Sequence, residues 1–158
     1  MLSSSPHPPS ESARPEDANP WLIGFINRQL PWRWRIFTRA GFRHVFALRH
    51  DGANNAWVFT EWCTDRLYVQ AVPPATALKL MAWARSDGAL LAMEPRTAGP
   101  PAFPCLPLFC VTWVKHLLGL RRCLAVTPFQ LFRALLRRGA RPVPHPLTDK
   151  EMPHGRFQ

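Results

Sequence analysis

Three short stretches decide the fold: Phe42-Arg43-His44-Val45-Phe46-Ala47-Leu48-Arg49, Ala56-Trp57-Val58-Phe59-Thr60-Glu61-Trp62-Cys63 and Leu67-Tyr68-Val69-Gln70-Ala71-Val72. In the first, Phe42, His44, Phe46 and Leu48 fall on one side and Arg43, Val45, Ala47 and Arg49 on the other, the period of a strand. The second and third are rich in β-branched and aromatic residues. His50-Asp51-Gly52-Ala53-Asn54-Asn55 and Thr64-Asp65-Arg66 between them have turn chemistry. Strands joined by turns this short form an antiparallel meander. Pro73-Pro74 ends it.

Outward from the meander, residues 75–85 fit a helix with Leu78, Met81 and Trp83 buried, and residues 89–93 a fourth strand. Upstream, Asn19-Pro20 reads as a helix start, with Asn as N-cap and Pro at the first helical position. Trp21, Leu22, Phe25, Ile26 and Leu30 give that helix one apolar face, up to Pro31. Trp32-Arg33-Trp34-Arg35-Ile36 alternates with period two and reads as a short strand. The competing reading is an interfacial membrane anchor or a nucleic-acid strand. Downstream, residues 95–107 are a Pro/Gly-rich loop, and residues 110–118 form a helix stopped by Gly119. Thr127-Pro128 starts a last helix, with Phe129, Phe132, Leu135 and Leu136 inward, Arg133, Arg137 and Arg138 outward, and Gly139 at its end. The expected fold is a single α+β domain over residues 19–139, a short antiparallel sheet of three to four strands with helices packed on one side. Residues 1–18 are Ser/Pro-rich and residues 140–158 Pro-rich, and both read as disordered tails.

At 158 residues the chain suits one domain, and a hydrophobic content of 47% is globular rather than disordered. No apolar window is long enough to span a membrane, and the N-terminus lacks a secretory signal pattern, so a cytoplasmic location is expected. Four cysteines then read as free thiols. The formal charge is +10, with no acid between Ala18 and His50 or between Pro95 and Thr148. Nonspecific adhesion to polyanions at low salt is expected from this alone.

No Gly-rich phosphate loop, GxSxG elbow or HExxH pair is present, so no cofactor is expected. Cys63, Cys105, Cys110 and Cys123 lack CxxC spacing, so no metal is expected either. Cys110 stands out because it opens a helix, where unpaired N–H groups and the helix dipole favour a thiolate. A nucleophile also needs a base. His116 lies six residues along the same helix and points elsewhere. His44, set on the apolar side of its strand, is the candidate base. Glu61, on the neighbouring strand among aromatics, is the candidate to orient that imidazole. The competing readings are a core thiol for Cys110 and, for Glu61, a cross-strand pair with Arg43, Arg49 or Arg66.

This order of strand-His, acid on the next strand and helix-opening Cys resembles circularly permuted NlpC/P60 papain-like proteins, the group of the lecithin:retinol acyltransferase-like enzymes. Cys110-Val111-Thr112-Trp113-Val114-Lys115 with Leu118-Gly119 looks like their Cys-x-x-Phe-Val segment and helix-ending Gly. Arg43-His44-Val45-Phe46 resembles their His-bearing strand. The resemblance covers about residues 41–119. It implies a papain-like fold, a Cys–His pair and acyl transfer or hydrolysis, as in a cysteine peptidase. Thr127-Pro128-Phe129-Gln130-Leu131-Phe132 has the look of small bacterial and phage proteins.

Two functions are therefore expected candidates. One is a thiol hydrolase or acyltransferase, with Cys110 as nucleophile, His44 as proton carrier and Glu61 as orienter. Its substrate would be a peptide, an isopeptide or a lipid ester. The other is a non-catalytic basic module that holds nucleic acid or an acidic partner, of phage association.

Overall fold

A computed structural model describes residues 19–28, 38–63, 65–95, 109–120 and 122–144. The expected tail residues 1–18 and 145–158, the Trp32–Ile36 strand and loop residues 96–107 lie outside the described residues. The elements in chain order are β1 (Trp21–Ile26), β2 (His44–Asp51), β3 (Ala56–Trp62), β4 (Leu67–Val72), α1 (Pro74–Asp87), β5 (Ala89–Met93), α2 (Cys110–Leu117), α3 (Pro128–Arg137) and β6 (Arg141–Pro142). The fold is α+β. One antiparallel sheet runs in the order β4-β3-β2-β1-β5-β6.

The meander forms as its residues dictate, with β2, β3 and β4 side by side. The sheet is larger than the expected three to four strands, for two reasons. β6 pairs with β5 inside the Pro-rich segment read as a tail, and Val143 N–H donates to Leu90 O. The segment after Asn19-Pro20 is strand β1, not a helix. Its apolar spacing fits a helical face, but Trp21-Leu22-Ile23-Gly24-Phe25-Ile26 is also one continuous apolar run. That is the pattern of a strand buried on both faces. Lying between β2 and β5, it needs to be apolar on both sides. Gly24 serves this position by its lack of a side chain. A Cβ there would lie 2.3 Å from the Phe46 ring, which occupies that space.

Helices cover both faces of the sheet, not one. Ile23, Phe25, Val45, Ala47 and Leu91 pack against α2 and α3. Ile26, Phe46, Leu48 and Leu90 pack against α1. Each large apolar side chain so buried contributes about 1.5–3 kcal/mol. α1 approaches through Ala77, Met81 and Ala84 at helical spacing, the two alanines letting it come close, and this leaves Leu78 (62% exposed) and Trp83 (45%) outside where burial was expected. In α3, Leu131, Ala134 and Leu135 are buried and Leu136 is exposed, one position round from the expected face. Its start is a capping box: Gln130 N–H donates to Thr127 Oγ1 and Thr127 N–H to Gln130 Oε1, each at 3.2 Å.

Phe42 was expected beside Phe46 and lies on the opposite face instead. Its ring meets Phe25, Phe129 and Phe132 at centroid distances of 5.7, 5.2 and 4.8 Å. The strand period breaks there because an Arg39–Phe42 bridge turns the chain just before β2. Gly88 clamps this turn to the end of β1. A Cβ on Gly88 would sit 2.3 Å from both Gly41 O and Phe25 O. Beside it, Asp87 Oδ2 accepts from Asn27 N–H at 2.6 Å. The end of α1 therefore fixes where β1 stops and where β2 begins.

Candidate functional site

That corner of the sheet carries a polar cluster. His44 is the first residue of β2 and pairs in register with Ile26, the last of β1. Glu61 stands opposite Phe46, so it is a diagonal neighbour of His44 on β3. Diagonal neighbours share a face and lie within reach of long side chains. His44 Nε2 is 2.8 Å from Glu61 Oε1. His44 is only 6% exposed and Glu61 is partly covered. The contact is short, yet the ring N–H is not aimed along it, so Nε2 has no well-directed hydrogen bond.

Cys110 reaches the same imidazole from the first position of α2. Its N-cap, Phe109, is extended and offers no side-chain cap, and the first turn carries no acid. The first intrahelical bond is from Trp113 N–H to Phe109 O at 3.0 Å. The N–H groups of Cys110, Val111 and Thr112 are therefore unused by the helix. A second contact seats this turn: Trp113 Nε1–H donates to Thr60 Oγ1 at 3.1 Å, next to Glu61 in sequence. The structure thus sets Glu61 against His44 and places Cys110 near enough to bear on the charge of the imidazole. Of the proposed cross-strand cations, none reaches Glu61 among the described residues.

Two residues of the cluster were missed. Arg28 follows the end of β1, and its Nη1 lies 2.6 Å from Glu61 Oε1 and 3.6 Å from Cys63 Sγ. Cys63 follows Glu61 by two positions, just past the end of β3, and is a free, half-buried thiol. Arg28 belongs to no motif, and its neighbours were read as helical, which would aim it elsewhere. The alternation of β3, which puts residues 61 and 63 on one side, was the only signal for Cys63.

The electrostatics follow from this packing. Burial works against a charged His44. The contacts with Cys110 and with the Glu61 carboxylate outweigh it and raise the imidazole from 6.5 to about 9. The His44 contact holds the Glu61 carboxyl below its ordinary value against burial, helped by the charges of His44 and Arg28. The Cys63 contact and the Glu61 charge raise Arg28 above its ordinary value, again against burial. At neutral pH the cluster holds a carboxylate between two cations.

Among the described residues, no group of three His, Cys, Asp or Glu side chains is arranged to hold a metal ion. No described helix is long and apolar enough to cross a membrane. No family model, curated protein or solved structure matches the chain.

Proposed function

We propose that the protein is a thiol hydrolase or acyltransferase acting on an amide, ester or thioester carbonyl. The observation that carries this reading is the meeting of one thiol, one imidazole and one carboxylate. They come from a helix N-terminus and two adjacent strands. Nε2 faces Glu61 at 2.8 Å, and in this reading Nδ1 is the nitrogen that exchanges a proton with Cys110. An imidazole raised to about 9 carries its proton at neutral pH, so the reactive form in this reading is a Cys110 thiolate beside a His44 imidazolium. Cys110 Sγ then attacks the carbonyl carbon and forms a tetrahedral oxyanion. The unused N–H groups at the start of α2 are the donors closest to hand for that charge. Collapse of the intermediate breaks the bond to the leaving group, which takes the proton from His44. The product is a Cys110 thioester. Water or another nucleophile gives its proton to neutral His44, attacks the thioester and restores the thiol.

Glu61 orients the ring and stabilises its charged form, and Arg28 holds Glu61 in turn. The same order of residues supports a circularly permuted papain-like relationship to NlpC/P60 proteins, with Glu61 as the third residue. The test is turnover of a panel of p-nitrophenyl esters and peptide thioesters by the purified chain. Activity lost in both Cys110→Ser and His44→Ala, with the fold intact by circular dichroism, is the expected result. Full turnover in both variants on a substrate the wild type turns over contradicts it.

A further inference from the structure

Residues 122–126, between α2 and α3, present aliphatic side chains to solvent. They alternate: Cys123 and Ala125 are buried, whereas Arg122, Leu124 and Val126 point out. Leu124 is 83% exposed and Val126 56%. The exposure is not that of a loose loop. Lys115 Nζ donates to Ala125 O at 3.2 Å, and Gln130 Oε1 accepts from Val126 N–H at 2.9 Å. The strip is held from both sides with its two aliphatic side chains outward.

Its surroundings are cationic. Arg133 and Arg137 are exposed and follow Gln130 at helical spacing along α3, so they extend the strip. No acid occurs anywhere between Glu94 and Asp149. Exposed aliphatic residues inside a basic surface match an anionic bilayer, which takes Leu and Val at the acyl boundary and Arg at the headgroups. A second copy of this chain would bring like charge against like charge. A single-stranded nucleic acid would call for aromatic rings to stack on, and the strip has none.

We propose that Arg122, Leu124 and Val126, continued by Arg133 and Arg137, form a docking surface for a membrane rich in anionic phospholipid. The surface lies at the far end of α2 from Cys110 and does not depend on the reaction proposed there.

The test is sedimentation of the full chain with large vesicles in ~150 mM salt, physiological ionic strength. Vesicles of phosphatidylglycerol with phosphatidylcholine are compared with phosphatidylcholine alone. The wild type is expected to partition onto the anionic vesicles only. Leu124→Asp with Val126→Asp should lower that partition about tenfold or more. Val69→Asp with Leu78→Asp changes the net charge equally, at exposed aliphatic positions on β4 and α1. That control should shift it less than about threefold. The proposal is overturned if the two double variants lose equally, if the wild type ignores anionic vesicles, or if the strip variant binds undiminished. It also falls if the strip variant loses a single-stranded RNA oligomer as strongly as it loses vesicles.

Discussion

β2 carries a histidine at each end of one face, and the two live differently. His44 and His50 lie an even number of residues apart, so both side chains leave the sheet on the same side. His50 ends beside the Asp51 turn, half-buried against the Trp57 ring at 5.1 Å, with its carbonyl accepting from Asn19. No carboxylate or thiol contacts its ring among the described residues. His44 sits at the other end, nearly enclosed, between a carboxylate and a thiol. The strand supplies the same backbone to both. What separates them is the convergence at one corner of α2, the end of β3 and the residues after β1. The difference between the two imidazoles is therefore a property of that corner and not of the strand.

The largest expected effect breaks the comparison outright. His44→Ala should lower turnover about a thousandfold or more, and Cys110→Ser likewise, whereas His50→Ala should leave it unchanged. Steady-state kinetics of the three variants on one substrate decides this.

Next in size is a dependence of folding on pH. His44 has a folded-state pKa of about 9 against an ordinary 6.5, so it favours the folded state fully below pH 6.5. That contribution, of the order of 3 kcal/mol, is lost as the pH rises through about 9. Urea denaturation at pH 6 and pH 9.5 should show the loss in the wild type and in His50→Ala. His44→Gln should lack it. The same titration predicts that Glu61→Gln moves the alkaline fall of activity to lower pH, because one of the charges holding the imidazolium is gone.

A smaller effect tests the frame that sets the corner. Gly88→Ala forces a Cβ against the carbonyls of Gly41 and Phe25. It should cost about 2 kcal/mol by urea denaturation and weaken the His44 end of β2 more than the His50 end. Hydrogen exchange along β2 reads that difference. Least affected should be Arg28→Ala, with a loss of turnover below about tenfold. Arg28 is half-exposed, and its shortest contact is with Glu61.

Much of this corner was legible in the chain because its signals are local. The period of β2 and β3, the turns between them and a Cys opening a helix before Gly119 are each readable within a few residues. Their meeting was an expectation of geometry: one strand pair and one helix end. β1 was not legible, because Trp21, Leu22, Phe25 and Ile26 satisfy helix and buried-strand templates equally. Only the neighbours β2 and β5 decide between them. Arg28 was hidden by the same ambiguity. Phe42 was misplaced because one turn before His44 reverses the face, and no residue type announces such a reversal. The outward positions of Leu78 and Leu136 follow from how closely Ala77, Ala84 and Ala134 let the helices approach, which is a property of the packed molecule.

The central claim is that Cys110 and His44 act as a pair. The most direct measurement is iodoacetamide alkylation of the folded protein between pH 5 and 9, with each modified cysteine located by mass spectrometry, in wild type and His44→Ala. The account predicts that Cys110 reacts rapidly below pH ~7, well ahead of Cys63 and Cys123, and that His44→Ala abolishes the advantage. A Cys110 that reacts only as an ordinary thiol near pH ~8.5, or one indifferent to His44, would contradict it.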